Sequence, residues 1–191
     1  MSPLPRLILA SQSPRRKDLL ASTGLDFEII VRPADEIQDS SMEPERLCLY
    51  NAGLKADAVA REFPDATVIG ADTLVFLGNE PLGKPCDRND AVRMLTMLSG
   101  KFHCVCTGVC LRSPLGHIDL PVITKVKFRK LSPSTIDRYL ELVHVLDKAG
   151  AYAFQEHGDM IVESIEGDAN NVIGLPIDAL MRQLAAWGYS R

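Results

Sequence analysis

The sequence predicts an α/β fold in which helices flank a mixed, twisted sheet. Segments with the apolar pattern of strands alternate along the chain with segments of helical pattern, which is typical of a sheet covered by helices. Two long β segments, residues 102–112 and 118–130, flank the turn sequence Ser113-Pro114-Leu115-Gly116 and predict an antiparallel hairpin. The length of 191 residues, with 46% hydrophobic and 24% charged residues, suits a single domain over residues 1–191.

The first elements are a short buried strand, a turn and a helix. The run Leu7-Ile8-Leu9-Ala10 is apolar, Ser13 is a good N-cap, and Pro14 suits the first helical position. Free backbone amides at this helix start, together with the guanidinium groups of Arg15 and Arg16, could hold phosphate oxygens. An ordinary capped helix with solvated arginines is equally consistent with these residues alone.

The later elements follow from the hydrophobic period and the turn residues. Strands are expected where β-branched and apolar residues cluster, and helices where the apolar residues recur at helical spacing. The expected elements are a strand over 27–32, a loop over 33–36, a helix over about 43–63, a β segment over 66–77 broken at 70–73, a turn-rich segment over 78–87, a helix over 89–98, the hairpin, a helix near 134–143, strands around 151–154 and 160–165, and a final helix over 176–187.

Composition and charge exclude several classes of protein. The formal net charge of −4 argues against binding nucleic acid through bulk electrostatics, although a local phosphate pocket remains compatible with it. No apolar run reaches the length of a signal core or a membrane span, so we expect a cytoplasmic protein with no membrane partner. Cys104, Cys106 and Cys110 alternate as small core residues on one face of a strand, and no C-x-x-C pair indicates zinc.

Lys55 stands out because it lies on the apolar face of the predicted helix. At helical spacing it falls near Ala52 and Val59, and opposite Asp57 and Arg61. Either its stem packs along the core while its charge reaches solvent, or its ammonium extends into a cleft to meet a negative ligand.

Two carboxylates follow predicted strands. Asp72 comes after Val68-Ile69-Gly70-Ala71, at an expected strand end where small residues would let a ligand approach closely; an ordinary turn aspartate is the alternative. Glu36 could supply a second carboxylate for a divalent ion, since Mg²⁺ is often held by one or two carboxylates and by substrate phosphate oxygens.

A second candidate lysine, Lys84, lies in a segment that approaches the pattern of a phosphate-binding loop. In Gly78-Asn79-Glu80-Pro81-Leu82-Gly83-Lys84-Pro85, however, Pro85 stands where that loop has its metal-binding hydroxyl, and Pro81 removes a backbone amide. Lys84 could still point at a phosphate, or it could be a solvated lysine of a tight turn.

Together these residues describe a polyphosphate site with carboxylates for a metal and a base. Its candidates are Ser11, Ser13, Arg15, Arg16, Glu36, Lys55, Asp72 and Lys84. Motifs spread in order over almost the whole chain resemble the Maf family of nucleoside triphosphate pyrophosphatases. They are Ser11-Gln12-Ser13-Pro14-Arg15-Arg16, Gly70-Ala71-Asp72-Thr73, Leu82-Gly83-Lys84-Pro85, Asp147-Lys148-Ala149-Gly150-Ala151-Tyr152 and Asn171-Val172-Ile173-Gly174-Leu175-Pro176.

This resemblance implies an elongated, two-lobed fold shared with the inosine triphosphatases, with a central cleft. It implies cleavage of a nucleoside triphosphate between the α and β phosphates with a divalent cation, Mg²⁺ or Mn²⁺, and a homodimer. By motif, Asp72 is the proton acceptor that activates water and Glu36 helps to hold the metal. The implied phosphate-binding residues are Ser11, Arg16, Lys55 and Lys84.

Substrate choice within the family depends on a few positions. Arg15, Thr73 and Gln155 resemble the branch that acts on dTTP and UTP, whereas the branch that prefers 7-methyl-GTP has Trp and Gln at the first two positions and lacks Gln155. A glutamine amide can pair with both a donor and an acceptor of a pyrimidine edge. The chain departs from the dTTP/UTP branch at Glu156-His157-Gly158-Asp159, where that branch has a more glycine-rich turn.

Two alternatives to a dTTP and UTP pyrophosphatase remain open at this stage. The same reaction could act on 7-methyl-GTP or another modified nucleotide, or the protein could be a non-catalytic, nucleotide-binding regulator of cell division. The presence of Asp72, Glu36 and both lysines favours catalysis, since binding alone needs no base.

Overall fold

In a computed structural model that describes residues 3–190, helices pack on a central mixed sheet. The elements are β1 (Leu7–Leu9), α1 (Pro14–Ala21), β2 (Glu28–Ile29), α2 (Pro44–Ala60), β3 (Thr67–Leu77), β4 (Glu80–Leu82), α3 (Arg88–Leu98), β5 (Phe102–Ser113), β6 (Gly116–Phe128), α4 (Pro133–Leu142), β7 (Val162–Glu166), α5 (Ala169–Ile173) and α6 (Ile177–Ala186). Short 3₁₀ turns cover Ala149–Ala151 and Gly158–Met160.

Within residues 3–190 the sheet has seven strands, in the order β2-β1-β3-β5-β6-β7, with β4 paired to β3. β1 runs parallel to β2 and β3, while the other pairs are antiparallel. The long β5–β6 hairpin closes where Ser113 faces Gly116, as its turn sequence predicts. The expected α/β class with a mixed sheet is therefore confirmed.

α2 lies directly on the sheet because glycines face it. A Cβ on Gly70 would lie 2.3 Å from the carbonyl oxygen of Ala52, and one on Gly108 would lie 2.5 Å from the carbonyl carbon of Cys48. Gly70, two residues before Asp72, thus makes room for a helix, whereas the sequence suggested that it makes room for a ligand. This close approach brings the polar side chains of α2 to the middle of β3.

Two expectations about local structure were wrong. β3 is continuous through residues 70–73, so Asp72 lies within the strand, opposite Gly108 of β5, and not at a strand end. Residues 151–154 form no strand, because Gly150 and Ala151 have φ values of 69° and 61°, outside the β region. The turn-rich segment expected over 78–87 also contains the short strand β4.

Other differences concern element length and one additional helix. The strand expected over 27–32 is limited to the two residues of β2, and the short helix α5 was not expected. The described helices include none that is both long and apolar enough to cross a membrane.

Candidate active site

A cavity of about 590 Å³ opens beside β3 and gathers residues from distant parts of the chain. Its walls come from the segment after β1, the start of α1, the loop before α2, α2 itself at Lys55, the middle of β3, the segments around residues 83 and 147–155, and the end of α5. All of the candidates line it: Ser11, Ser13, Arg15, Arg16, Glu36, Lys55, Asp72, Thr73, Lys84 and Gln155. The structure thus brings together residues that the sequence could only suggest separately.

The start of α1 forms one wall and fixes an arginine. Ser13 caps the helix, its hydroxyl accepting a hydrogen bond from the backbone N–H of Arg16, as expected. The Arg16 guanidinium donates to the carbonyl of Gly174 at 2.8 Å, to Thr73 Oγ1 at 2.9 Å and to Ser11 Oγ at 3.3 Å. Because a guanidinium has five N–H donors in a rigid plane, these contacts orient the group and leave donors for a ligand.

An ammonium and two carboxylates meet at the floor of the cavity. Lys55 Nζ lies 2.7 Å from Asp72 Oδ1 and 3.0 Å from Glu36 Oε2. The side chain of Lys55 is only 16% exposed and that of Asp72 only 8%. Of the two alternatives for Lys55, the structure therefore favours the ammonium that reaches into a cleft.

Asp72 is held in its charged form by its neighbours. Burial by itself would raise the pKa of the carboxyl, but the charges of Lys55 and Arg16 and the hydrogen bonds from Lys55 and Asn51 outweigh burial. The net effect lowers the pKa of Asp72 below its ordinary value. A buried, ionised carboxylate in a polar cavity is a common feature of functional sites.

Asn51 belongs to the site but was not predicted from the sequence. Its amide donates to Asp72 Oδ2 at 3.2 Å, and it also exchanges two hydrogen bonds of 3.0 Å with the backbone of Ile37. Asn51 therefore fixes the carboxylate and attaches the loop that carries Glu36 to α2. Its position one helical turn before Lys55 is the signal that could have identified it.

Thr73 contacts other protein groups in the cavity wall. Its hydroxyl accepts from Arg16 and lies 2.9 Å from Thr107 Oγ1, which in turn donates to the carbonyl of Asn171 at 3.1 Å. Thr107 and Asn171 are fully buried. This chain of hydroxyls connects the arginine of α1 to β3, β5 and α5.

The remaining cations lie nearer the cavity mouth. Lys84 is exposed, and the loop before it is anchored by a 3.0 Å hydrogen bond from the Gly150 N–H to the carbonyl of Gly83. Arg15 forms an ion pair of 3.2 Å with Asp147, and Gln155 is an exposed residue of the cavity wall.

The fold of the chain is similar to that of a known α/β protein. Its structure is similar to that of the Staphylococcus aureus Ham1 protein, with a TM-score of 0.57 over 95% of this chain and 99% of the other. The sequence identity of 15% means that this likeness concerns the fold alone. The family model described as Maf-like protein matches residues 6–187, and the chain belongs to the Maf family.

Relatives in this family are similar over nearly their whole lengths. A protein of Akkermansia muciniphila is 58% identical, over 97% of this chain and 98% of the relative. Proteins of Aquifex aeolicus and Deinococcus radiodurans are 48% and 43% identical, covering 94% and 97% of this chain and 94% and 95% of the relatives. All three are named dTTP/UTP pyrophosphatase.

Proposed function

We propose that this chain hydrolyses dTTP and UTP to the nucleoside monophosphate and pyrophosphate. The observation that carries the proposal is the cluster of Lys55, Asp72 and Glu36 on the floor of the cavity, in a chain 58% identical to a dTTP/UTP pyrophosphatase. When water attacks a phosphoanhydride, a carboxylate can act as the base that accepts its proton, and a cation can stabilise the charge on the phosphoryl oxygens. The second carboxylate can hold a divalent ion.

The triphosphate would bind along the cationic wall of the cavity. Arg16 is oriented by its three protein contacts, and Lys84 is exposed at the mouth. Ser11 and Ser13 add hydroxyls at the start of α1, where backbone amides favour an anion. Cations spaced around the cavity would spread their charge over several phosphate groups.

Asp72 would accept the proton of the attacking water. Its lowered pKa keeps it deprotonated at neutral pH, which is the form a proton acceptor needs. Asn51 and Lys55 restrict the orientation of the carboxylate, since each bonds one of its oxygens. The Lys55 ammonium, 2.7 Å away, lies where it can stabilise charge that develops on the phosphoryl oxygens.

A divalent cation, Mg²⁺ or Mn²⁺, fits the donor set. Oxygens of Glu36 and Asp72 converge on the same ammonium, and carboxylate oxygens are the ligands these ions prefer. Within residues 3–190 no group of three or more His, Cys, Asp or Glu side chains gathers, so phosphate oxygens and water would complete the coordination. The ion would neutralise charge on the phosphoryl oxygens.

Base selection would fall to Arg15 and Gln155 at the mouth. Gln155 is exposed in the cavity wall, and its amide offers both a donor and an acceptor to a pyrimidine edge. Thr73, through its bond to Arg16, would act on the phosphate side of the site.

We further propose a cytoplasmic homodimer that binds neither nucleic acid nor membrane. The formal net charge of −4 supports the first exclusion, and the lack of a membrane-spanning helix in the described residues is compatible with the second.

A nucleotide panel tests the proposal. Purified protein is incubated with dTTP, UTP, CTP and 7-methyl-GTP in the presence of Mg²⁺ or Mn²⁺, and the products are separated by anion-exchange chromatography. We expect monophosphate and pyrophosphate, with dTTP and UTP turned over fastest. A diphosphate with free phosphate, or no turnover with either metal, would contradict the proposal. Preference for 7-methyl-GTP, or binding without turnover, would favour the alternatives given above.

A further inference from the structure

Lys148 is a nearly buried lysine that the proposed chemistry does not use. Its side chain is 7% exposed and borders the cavity. Its ammonium donates to the carbonyl of His144 and to Asp147 Oδ1 at 3.0 Å, and it lies 3.6 Å from Glu156 Oε1. Buried ammonium groups need such partners, because an unpaired charge is costly away from water.

These contacts leave Lys148 poorly placed to bind substrate itself. An ammonium has three N–H donors; two are directed to protein oxygens, and Glu156 is the closest partner for the third. The backbone around it is fixed too, with the Lys148 N–H bonded to the carbonyl of Val145 and its own carbonyl bonded to Ala151. Lys148 thus holds together the two ends of the segment 144–156 through its contacts with His144, Asp147 and Glu156.

The pairs form a row of alternating charges beside the cavity, of which Arg15, Asp147 and Lys148 line the wall. Arg15 pairs with Asp147 at 3.2 Å, and Asp147 pairs with Lys148. Lys148 then approaches Glu156, whose neighbour along the chain is Gln155. Arg15 and Gln155, the two residues assigned to base selection, are thus linked through Asp147, Lys148 and Glu156.

The pKa of Asp147 agrees with its position between two cations. Burial would raise the pKa of its carboxyl, but hydrogen bonds from Lys148 and Arg15 lower the pKa below the ordinary value. Asp147 is therefore negative at neutral pH and can hold both cations.

We propose that Lys148 is a positioning residue for recognition of the pyrimidine base, holding Arg15 through Asp147 and the Gln155 segment through Glu156. The inference rests on the proposed function and deepens it. Within the described residues, no hydrogen bond or ion pair joins Lys55 or Asp72, at the reacting end of the site, to this row. Loss of Lys148 should therefore change base recognition and leave the chemical step unchanged.

Steady-state kinetics with UTP, dTTP and CTP test this inference. In Lys148→Met we expect KM for UTP and dTTP to rise about tenfold, about the value of one substrate contact by Arg15 or Gln155 that is lost when these residues are no longer held, with kcat within about twofold of wild type. The preference for UTP over CTP in kcat/KM should fall by a similar factor. Lys148→Arg keeps the charge and should recover most of this preference.

Two further variants keep the test decisive. Glu156→Gln alters a partly exposed residue and should shift KM and base preference in the same direction, by less, even if Lys148→Met does not fold. Lys125→Met, at an exposed lysine of β6 outside the cavity, is the matched control and should leave all constants unchanged.

The inference fails if folded Lys148→Met and Glu156→Gln keep the wild-type KM and base preference, or if kcat falls while both are unchanged. It also fails if Lys148→Met does not fold and Glu156→Gln behaves as wild type. A wild-type protein that hydrolyses none of these nucleotides would instead overturn the proposed function, and this inference with it.

Discussion

Lys55 illustrates how a single charged residue can be explained only by its partners. It lies on the face of α2 that packs on the sheet, beside the buried residues Ala52, Ala56 and Val59. A buried charge is tolerated where it is paired and hydrogen-bonded, and Asp72 and Glu36 supply that pairing. The same ammonium would serve a triphosphate at the cavity floor.

Lys55→Met tests this role of the ammonium. The methionine keeps the length and apolar packing of the stem but removes the charge, so we expect the protein to fold and kcat/KM for UTP to fall about 30-fold or more, equivalent to about 2 kcal/mol of transition-state stabilisation. Circular dichroism checks the fold, and Lys125→Met controls for loss of a lysine elsewhere. Near-normal kinetics would show that the ammonium does not contact the triphosphate.

At the scale of elements, the contact between α2 and β3 positions the site. Gly70 has no side chain, and this lets the backbone of α2 approach the strand so closely that Asn51 and Lys55 reach Asp72. A helix held farther from the sheet would separate the ammonium from its carboxylate. Gly70 is thus needed for α2 to pack closely enough on β3 to form the site.

Gly70→Ala should disrupt this contact. Its Cβ would meet the backbone oxygen of Ala52 at 2.3 Å, so the helix must move, and we expect the free energy of unfolding to fall by about 2 kcal/mol or more. Activity should fall with it. Gly53→Ala, in α2 with its nearest contact at 3.5 Å, is the matched control and should be neutral or slightly stabilising. Urea unfolding measures the stability of the two variants, and UTP turnover measures their activity. A Gly70→Ala protein with wild-type stability and activity would refute the packing argument.

Local signals predicted some elements well and missed others. The capped start of α1 was predicted because Ser13 and Pro14 act on their own backbone neighbours. The continuity of β3 through Asp72 was not predicted, since it depends on pairing with residues of β5 that lie more than 30 positions farther along the sequence. The role of Asn51 was only partly accessible, because its spacing from Lys55 places it on the same face of α2 but does not identify Asp72 as its hydrogen-bond partner.

At the scale of the whole molecule, one buried histidine makes stability depend on pH. His103 is 2% exposed; its Nε2 lies 2.9 Å from the Tyr152 hydroxyl, and its Nδ1 has no hydrogen-bond partner within residues 3–190. Burial lowers the pKa of His103 to about 4, from 6.5. Between these values the unfolded chain binds a proton that the folded protein does not, so stability falls as pH falls through this range.

His103→Gln tests this dependence. From pH 7 to pH 5 the wild-type protein should lose about 2 kcal/mol of unfolding free energy through this one residue, because about 1.5 units of that interval lie below the unfolded pKa of 6.5 and above the folded value. The glutamine variant lacks the titrating ring and should lose correspondingly less, whatever its stability at pH 7. Urea unfolding of both proteins at the two pH values gives the comparison. Equal losses would show that His103 does not control the pH dependence.

The most direct measurement of the account as a whole is the turnover of UTP by Asp72→Asn. The asparagine keeps the shape of the side chain but cannot accept a proton, and loss of a general base typically lowers the rate by about 10²–10⁴-fold. We expect kcat for pyrophosphate release to collapse by this factor in a folded protein, with no recovery when the Mn²⁺ concentration is raised. A folded variant that keeps more than about a tenth of the wild-type kcat would have lost far less activity than the removal of a base causes. That result would contradict the proposed role of Asp72 and the mechanism built on it.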